Sequence, residues 1–201
     1  MTFRMLPLIG ILLLAVIACG VRPLLQWRRT GRFGLILLRS KSRTQNIRDA
    51  LGILGFGVLI WQAHEAVFRP GLVTPWIEPP ALQMTGAAVL FGGLAVLIVA
   101  QLDLGNSWRI GIEEGARPGL VTGGLYRFCR HPIFLGLLAI LAGYTLMLPT
   151  ALSLVVLAGG FIAVRQQVAA EEAYLARSYG ADYRDYAQRV GRFLPGIGRA
   201  S

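Results

Sequence analysis

Long apolar runs separated by short, arginine-rich connectors set the pattern of this chain. A helical apolar run of about twenty residues matches the hydrocarbon thickness of a bilayer. The first such run extends from about Leu6 to Leu25, the second from Leu51 to Phe68, and the third from Ala81 to Leu102. A fourth, from Pro132 to Leu148, is short. The fifth, from Ala151 to about Val168, follows after only Pro149 and Thr150, so the last two form a tight helical hairpin. The pattern predicts an all-α integral membrane protein with about five transmembrane helices, a C-terminal hairpin and a cytoplasmic amphipathic tail. It is expected to be one domain over residues 1–201. Three N-terminal helices fill 1–102, and a loop, the hairpin and the tail fill 103–201.

Composition supports this. The chain is 55% hydrophobic and only 15% charged, against about a quarter charged in soluble domains. A net charge of +10 would suggest nucleic acid in a soluble protein. Here nineteen of the twenty basic residues are arginine and they concentrate between apolar segments. That distribution reads as topology, and nucleic-acid binding is not expected. The loop from Arg22 to Arg48 holds eight basic and no acidic residues, whereas that from Arg69 to Pro80 holds one basic residue. The excess places the first loop in the cytoplasm. The N-terminus is then outside, and both the 103–130 loop and the tail after Val168 are cytoplasmic, most simply in a bacterial inner membrane. A rival reading takes VIACG, ending near Cys19, as a lipoprotein cleavage site; cleavage there would leave the arginine-rich loop outside, against the charge rule. The same loop, with Trp27 and Phe33 among its arginines, also suits anionic lipid headgroups. Cys19 and Cys129 form no disulfide framework, and no metal-binding spacing is present.

Counting along the hairpin locates candidate chemistry. His131 lies eighteen residues before Pro149, and Val168 eighteen after Thr150. One helical turn farther come Glu171 and Glu172. The string YRFCRHP, Tyr126 to Pro132, should therefore meet the glutamate pair at the cytoplasmic interface. Pro132 suits a first helical turn, whose unpaired N–H groups favour an anion. Arginines, a helix N-terminus and paired carboxylates together suit a zwitterion. The competing account is interfacial charge pairing alone.

Two segments carry a family resemblance. GLVTGGLYRFCRHPIFLG, residues 119–136, and EEAYLARSYGADYRDYAQRVGRFLP, residues 171–195, are similar to the signatures of the isoprenylcysteine carboxyl methyltransferase and phospholipid methyltransferase superfamily. The first follows Leu-Val-Thr-x-Gly-x-Tyr-x-x-x-Arg-His-Pro-x-aromatic-x-Gly; the second follows Glu-Glu, aromatic-Gly, Tyr-x-x-Tyr and Arg-Phe-Leu-Pro. The resemblance covers roughly residues 105–195 and implies a cytoplasmic S-adenosyl-L-methionine site beneath a membrane-embedded acceptor site. Leu120, Val121, Tyr126, Arg130, His131, Pro132 and Phe134 would form the cofactor pocket, with Glu171 or Glu172 on the cofactor's amino or ribose groups. The acceptor, lipophilic or small, would present a carboxylate, an amine or a thiol. The chain departs from the family at Pro118, where histidine is common, and at Phe134, where tyrosine is common. Gln167 stands where prenylcysteine methyltransferases carry an arginine for the substrate carboxylate, with Arg165 two residues away; these two are the candidate substrate residues. His131 is a candidate general base if the acceptor must lose a proton. The alternatives are a membrane reductase of related layout using NADPH, and a non-catalytic membrane protein.

Other polar positions read as structural or remain open. Trp61, Gln62, His64 and Glu65 lie near the outer end of the second helix, and Glu65 is spaced to pair with Arg69. Asp103, Asn106, Ser107, Trp108 and Arg109 could make a lid or an acceptor rim. Tyr183 and Tyr186, with Arg184 and Arg189, predict an amphipathic surface helix that either docks on the membrane or covers the site.

Overall fold

The computed structural model describes residues 2–31, 37–38, 42–69, 71–105 and 119–199. Asn106, Ser107, Trp108, Arg109, Pro118 and part of the arginine-rich loop lie outside the described residues. Helix α1 (Thr2–Ala15) runs through a π-helical stretch, Val16–Val21, into α2 (Arg22–Thr30). The wide turn directly precedes Pro23, which has no N–H to bond four residues back. Gly31 closes α2 in the left-handed region (φ 71°), its N–H bonding the Trp27 carbonyl at 2.8 Å. Next come α3 (Arg43–Phe68), capped by the Ser42 hydroxyl, and α4 (Pro80–Asp103). A 3-10 turn (Gly124–Arg127) leads to α5 (Pro132–Met147), α6 (Ala151–Tyr179) and α7 (Ala181–Arg189). Between α5 and α6, Thr150 and Ser153 exchange side-chain bonds with each other's backbone N–H at 3.1 and 3.0 Å, a reciprocal cap that fixes the hairpin turn.

The described residues are helical in every named element, and four spans are long and apolar enough to cross a membrane: Arg4–Thr30, Arg43–Phe68, Pro80–Asp103 and Ala151–Tyr179. The fifth apolar helix, α5, has 16 residues, a length of about 24 Å against about 30 Å of hydrocarbon. It packs lengthwise on α4 through glycines spaced seven apart on both helices. A Cβ on Gly93 would lie 2.7 Å from the Gly136 carbonyl oxygen, and one on Gly86 would lie 2.8 Å from that of Gly143. The antiparallel register thus sets 86 against 143 and 93 against 136, with backbones in direct contact. In lipid, where burying apolar surface drives no association, such close approach is what binds helices. Ile11, Leu59, Leu90, Ile140 and Tyr144 fill the core beside this seam.

Polar contacts sort the two ends of the bundle. At one end Arg4 pairs with Glu78 at 3.1 Å, the Trp76 N–H bonds the Pro149 carbonyl at 3.0 Å, and Gln62 bonds Thr150 at 2.5 Å. The expected Glu65–Arg69 pair is present there at 3.6 Å. At the other end Arg22 donates to the carbonyls of Gln101 at 2.9 Å and Gly105 at 2.6 Å. Arg22 is only 3% exposed. It is therefore a buried clamp on the C-terminus of α4, where the helix dipole favours a cation, and not simply a loop charge. The second end also holds the start of α5 and the end of α6.

Candidate functional site

The YRFCRHP string is positioned by its backbone before its side chains do anything. Gly124 has φ 59°, and a Cβ there would collide with the Asp103 carboxylate. That carboxylate accepts the Leu125 N–H at 2.8 Å, tying the 3-10 turn to the end of α4. Beyond the turn, the N–H groups of Arg130 and His131 bond the carbonyls of Gly191 and Arg192 at 2.9 and 3.1 Å. The tail is thereby stitched to the entry of α5. Gly191 admits no side chain, because a Cβ would run into the Leu194 and Ile197 carbonyls.

Glu172 is the hub of the charged cluster. Its Oε1 accepts from Arg130 at 2.8 Å, lies 3.2 Å from His131 Nε2 and accepts from Arg192 Nε at 3.0 Å. Its Oε2 accepts from Arg192 at 2.7 Å. A hydrogen on His131 Nε2 completes the histidine contact. Arg130 also donates to the carbonyls of Ala187, Val190 and Gly198 at 2.7, 2.6 and 3.1 Å, so both terminal nitrogens hold the tail. Glu171 is more loosely held, 3.7 Å from His131 Nδ1, and 39% of its side chain is exposed. The His131 ring lies between Phe134 and Phe193, at 6.0 and 6.2 Å between centroids.

The phenols around this cluster stay protonated. Burial, then the charge of Glu171, raises the Tyr126 phenol well above its ordinary value. Burial and the neighbouring Glu172 push Tyr183 up to about 12, and burial raises Tyr186. The Tyr186 hydroxyl donates to the Tyr126 carbonyl at 2.6 Å. The hydroxyls of Tyr179 and Tyr183 and Nε of Arg130 are buried without a hydrogen-bond partner among the described residues. Burial also raises the Cys129 thiol.

Most of the sequence-predicted positions fall in one neighbourhood. His131 and Pro132 are buried, Phe134 faces the His131 ring, and both glutamates reach it. Leu120 packs on Tyr183 and Tyr186, and Val121 follows it, half-buried. Arg130 is in the cluster, but its terminal nitrogens are taken up by protein groups. Arg165 is exposed, stacked 6.0 Å from the ring of Phe161 on its own helix, while Val164 and Val168 face inward; Gln167 is half-buried. Arg127 lies over the Phe128 ring at 4.5 Å, outside the cluster. Tyr183 and Tyr186 are turned toward the protein, at 4% and 5% exposure, so α7 covers the site with its apolar face. Arg192 and Phe193 complete the site, and neither stands out in the sequence as a candidate residue. Their sole sequence signal was the Arg-Phe-Leu-Pro ending, since spacing along the tail does not reveal that it folds back on α5.

The sequence profile described as phospholipid methyltransferase matches residues 82–182, a stretch that contains nearly all of α4, the YRFCRHP string, α5 and both glutamates. The chain belongs to this family. Its relatives include methanethiol S-methyltransferase 1 of Bradyrhizobium diazoefficiens, 30% identical over 148 residues, covering 69% of this chain and 50% of that protein. Protein-S-isoprenylcysteine O-methyltransferase B of Arabidopsis thaliana is 32% identical over 136 residues, covering 65% of this chain and 66% of that protein. This member thus spans half to two thirds of the length of those relatives. The fold is also that of the eukaryotic intramembrane Ras methyltransferase, isoprenylcysteine carboxyl methyltransferase. That structure matches at a TM-score of 0.52 and 22% identity, over 81% of this chain and 56% of the other. The isoprenylcysteine and phospholipid methyltransferase resemblance and the all-helical membrane fold are therefore established, and the relatives matched are methyltransferases.

Proposed function

We propose that this protein is an S-adenosylmethionine-dependent methyltransferase working at the cytoplasmic face of the membrane on a lipophilic or small acceptor. One observation carries the reading: the Arg-His-Pro entry of α5 and the Glu171–Glu172 pair of α6 converge in a cluster with 2.8 and 3.2 Å contacts. The residues present fit the cofactor. Glu171, only loosely paired, suits an ammonium group, and the partnerless buried donors suit a carboxylate. The rings of Tyr126 and Phe134 are compatible with a neighbouring sulfonium. When bound, S-adenosylmethionine supplies an activated methyl group.

The chain's own contribution is alignment and exclusion of water. Glu172 fixes the His131 ring through Nε2, while Arg130 and Arg192 keep Glu172 in place. A carboxylate acceptor needs no base; a thiol or protonated amine must lose a proton, and His131 Nδ1 is the group to take it. The relatives are named for a thiol and for isoprenylcysteine. Gln167 and the outward-facing Arg165 offer no cation to an acceptor carboxylate beside Glu171, which favours a small or lipophilic thiol or amine over a prenylcysteine. The excess of arginines between Arg22 and Arg48 supports a cytoplasmic site.

Transfer of labelled methyl from S-adenosylmethionine into a total membrane extract tests the proposal. The unaltered protein should label a discrete product and Glu171→Gln should not. Labelling no greater than in membranes lacking the protein would overturn it.

A further inference from the structure

Glu172, Leu175, Ala176 and Tyr179 recur at three- and four-residue spacing, so they share one face of α6. Leu175, Ala176 and Tyr179 pack against Tyr183, Tyr186 and Ala187 of α7, with Leu120 closing the side. Three phenols, Tyr179, Tyr183 and Tyr186, therefore lie on or against the α6 face that also carries Glu172. Tyr186 spends its hydroxyl on the Tyr126 carbonyl at 2.6 Å. Those of Tyr179 and Tyr183 meet no partner among the described residues, although Tyr183 is only 4% exposed. A buried hydroxyl left unpaired is a standing cost that phenylalanine would remove.

Most charged donor atoms nearby are engaged by protein groups. Both terminal nitrogens of Arg130 are bonded to Glu172 and to backbone carbonyls, and Arg192 is bonded to Glu172. A carboxylate entering this site is left with Nε of Arg130 and the two unpaired phenols as buried donors among the described residues. Building on the S-adenosylmethionine reading above, we infer that the Tyr183 hydroxyl, assisted by that of Tyr179, binds the carboxylate of the cofactor's amino-acid end, while Glu171 takes its ammonium. The Tyr183 phenol lies in the field of Glu172, Arg130, Glu171 and Arg192, and it remains a proton donor at neutral pH. Because both hydroxyls lie beneath the surface, a ligand reaching them is enclosed between α6 and α7, which suits a reaction that must exclude water.

The test is calorimetric titration of the full-length protein in detergent with S-adenosylmethionine and with its decarboxylated analogue, alongside thermal unfolding without ligand. Tyr183→Phe should raise Kd for S-adenosylmethionine about three- to tenfold. It should leave Kd for the analogue within about twofold, because the group it recognises is missing. Without ligand its thermal midpoint should be unchanged or higher, as expected when an unpaired hydroxyl is removed. Tyr179→Phe should show the same selectivity more weakly, and it substitutes as the test if Tyr183→Phe does not fold. Unchanged affinity for S-adenosylmethionine in both variants, or equal losses for both ligands, would overturn the inference. If the unaltered protein binds neither ligand, the cofactor reading itself fails, and this assignment with it.

Discussion

Arg130 and Arg192 contact the same carboxylate, yet their removal should have very different consequences. The Arg130 side chain is 2% exposed and the Arg192 side chain 45% exposed. Arg130→Met would strip Glu172 of a buried partner at 2.8 Å and leave the Ala187, Val190 and Gly198 carbonyls without their donor. Breaking a buried charge pair from one side costs about 3–5 kcal/mol. At about 2–4 °C per kcal/mol for a chain of this size, the midpoint should fall by about 6–20 °C. Arg192→Met removes a solvent-screened pair worth about 0.2–1 kcal/mol, and its backbone pairing to His131 is untouched. Its shift should be about 4 °C or less. Thermal unfolding of both variants in one detergent, with limited proteolysis of the tail beyond Arg189, checks the contrast. Arg130→Met should expose the tail to cleavage and Arg192→Met should not. Equal shifts, or a tail equally protected in both, would refute the assignment of Arg130 as the clasp.

Two further outcomes follow from packing and titration. Gly93→Ala would drive a Cβ to within 2.7 Å of the Gly136 carbonyl and 2.9 Å of the Ile140 nitrogen. Overpacking of that kind costs about 1–3 kcal/mol, whereas Gly92→Ala meets nothing within 4 Å and should be neutral or slightly stabilising; unfolding midpoints that do not separate the two would refute the glycine register. Burial raises the Cys129 thiol above the ordinary value of about 8.5. The fold thus favours the protonated thiol, a contribution present below pH of about 8.5 and lost as pH rises through the raised value. In a Cys19→Ala background, maleimide labelling of the folded protein at pH 8 should be much slower than after unfolding, and labelling at the free-thiol rate would count against it.

The features that follow from helical repetition were legible in the sequence. Both arms of the hairpin are uninterrupted helices with the same rise, so counting outward from Pro149 and Thr150 placed His131 beside the glutamate pair, and they meet at 3.2 and 3.7 Å. Pro132 begins α5, as its lack of an N–H predicts. Counting could not show that Glu172, not Glu171, is the hub, because that depends on about a quarter-turn of rotation. It also could not place Arg192, since the return of the tail depends on backbone pairing at Gly191 and not on periodicity. The heptad glycines 86, 93, 136 and 143 were visible but belong to two helices separated by a loop, and only their shared register gives them meaning. Tyr183 and Tyr186 fitted an amphipathic helix equally well on lipid or on protein; the Tyr186 bond to Tyr126 turns them toward the protein.

The central claim is that the cluster at the entry of α5 binds S-adenosylmethionine. Calorimetric titration of the purified protein in detergent tests it most directly, with His131→Ala and Glu171→Gln as controls whose unfolding midpoints are measured alongside. The unaltered protein should show saturable micromolar binding, weakened about tenfold or more in each variant while the fold persists. An absence of heat and of thermal shift in the unaltered protein, or full affinity retained by both variants, would contradict it.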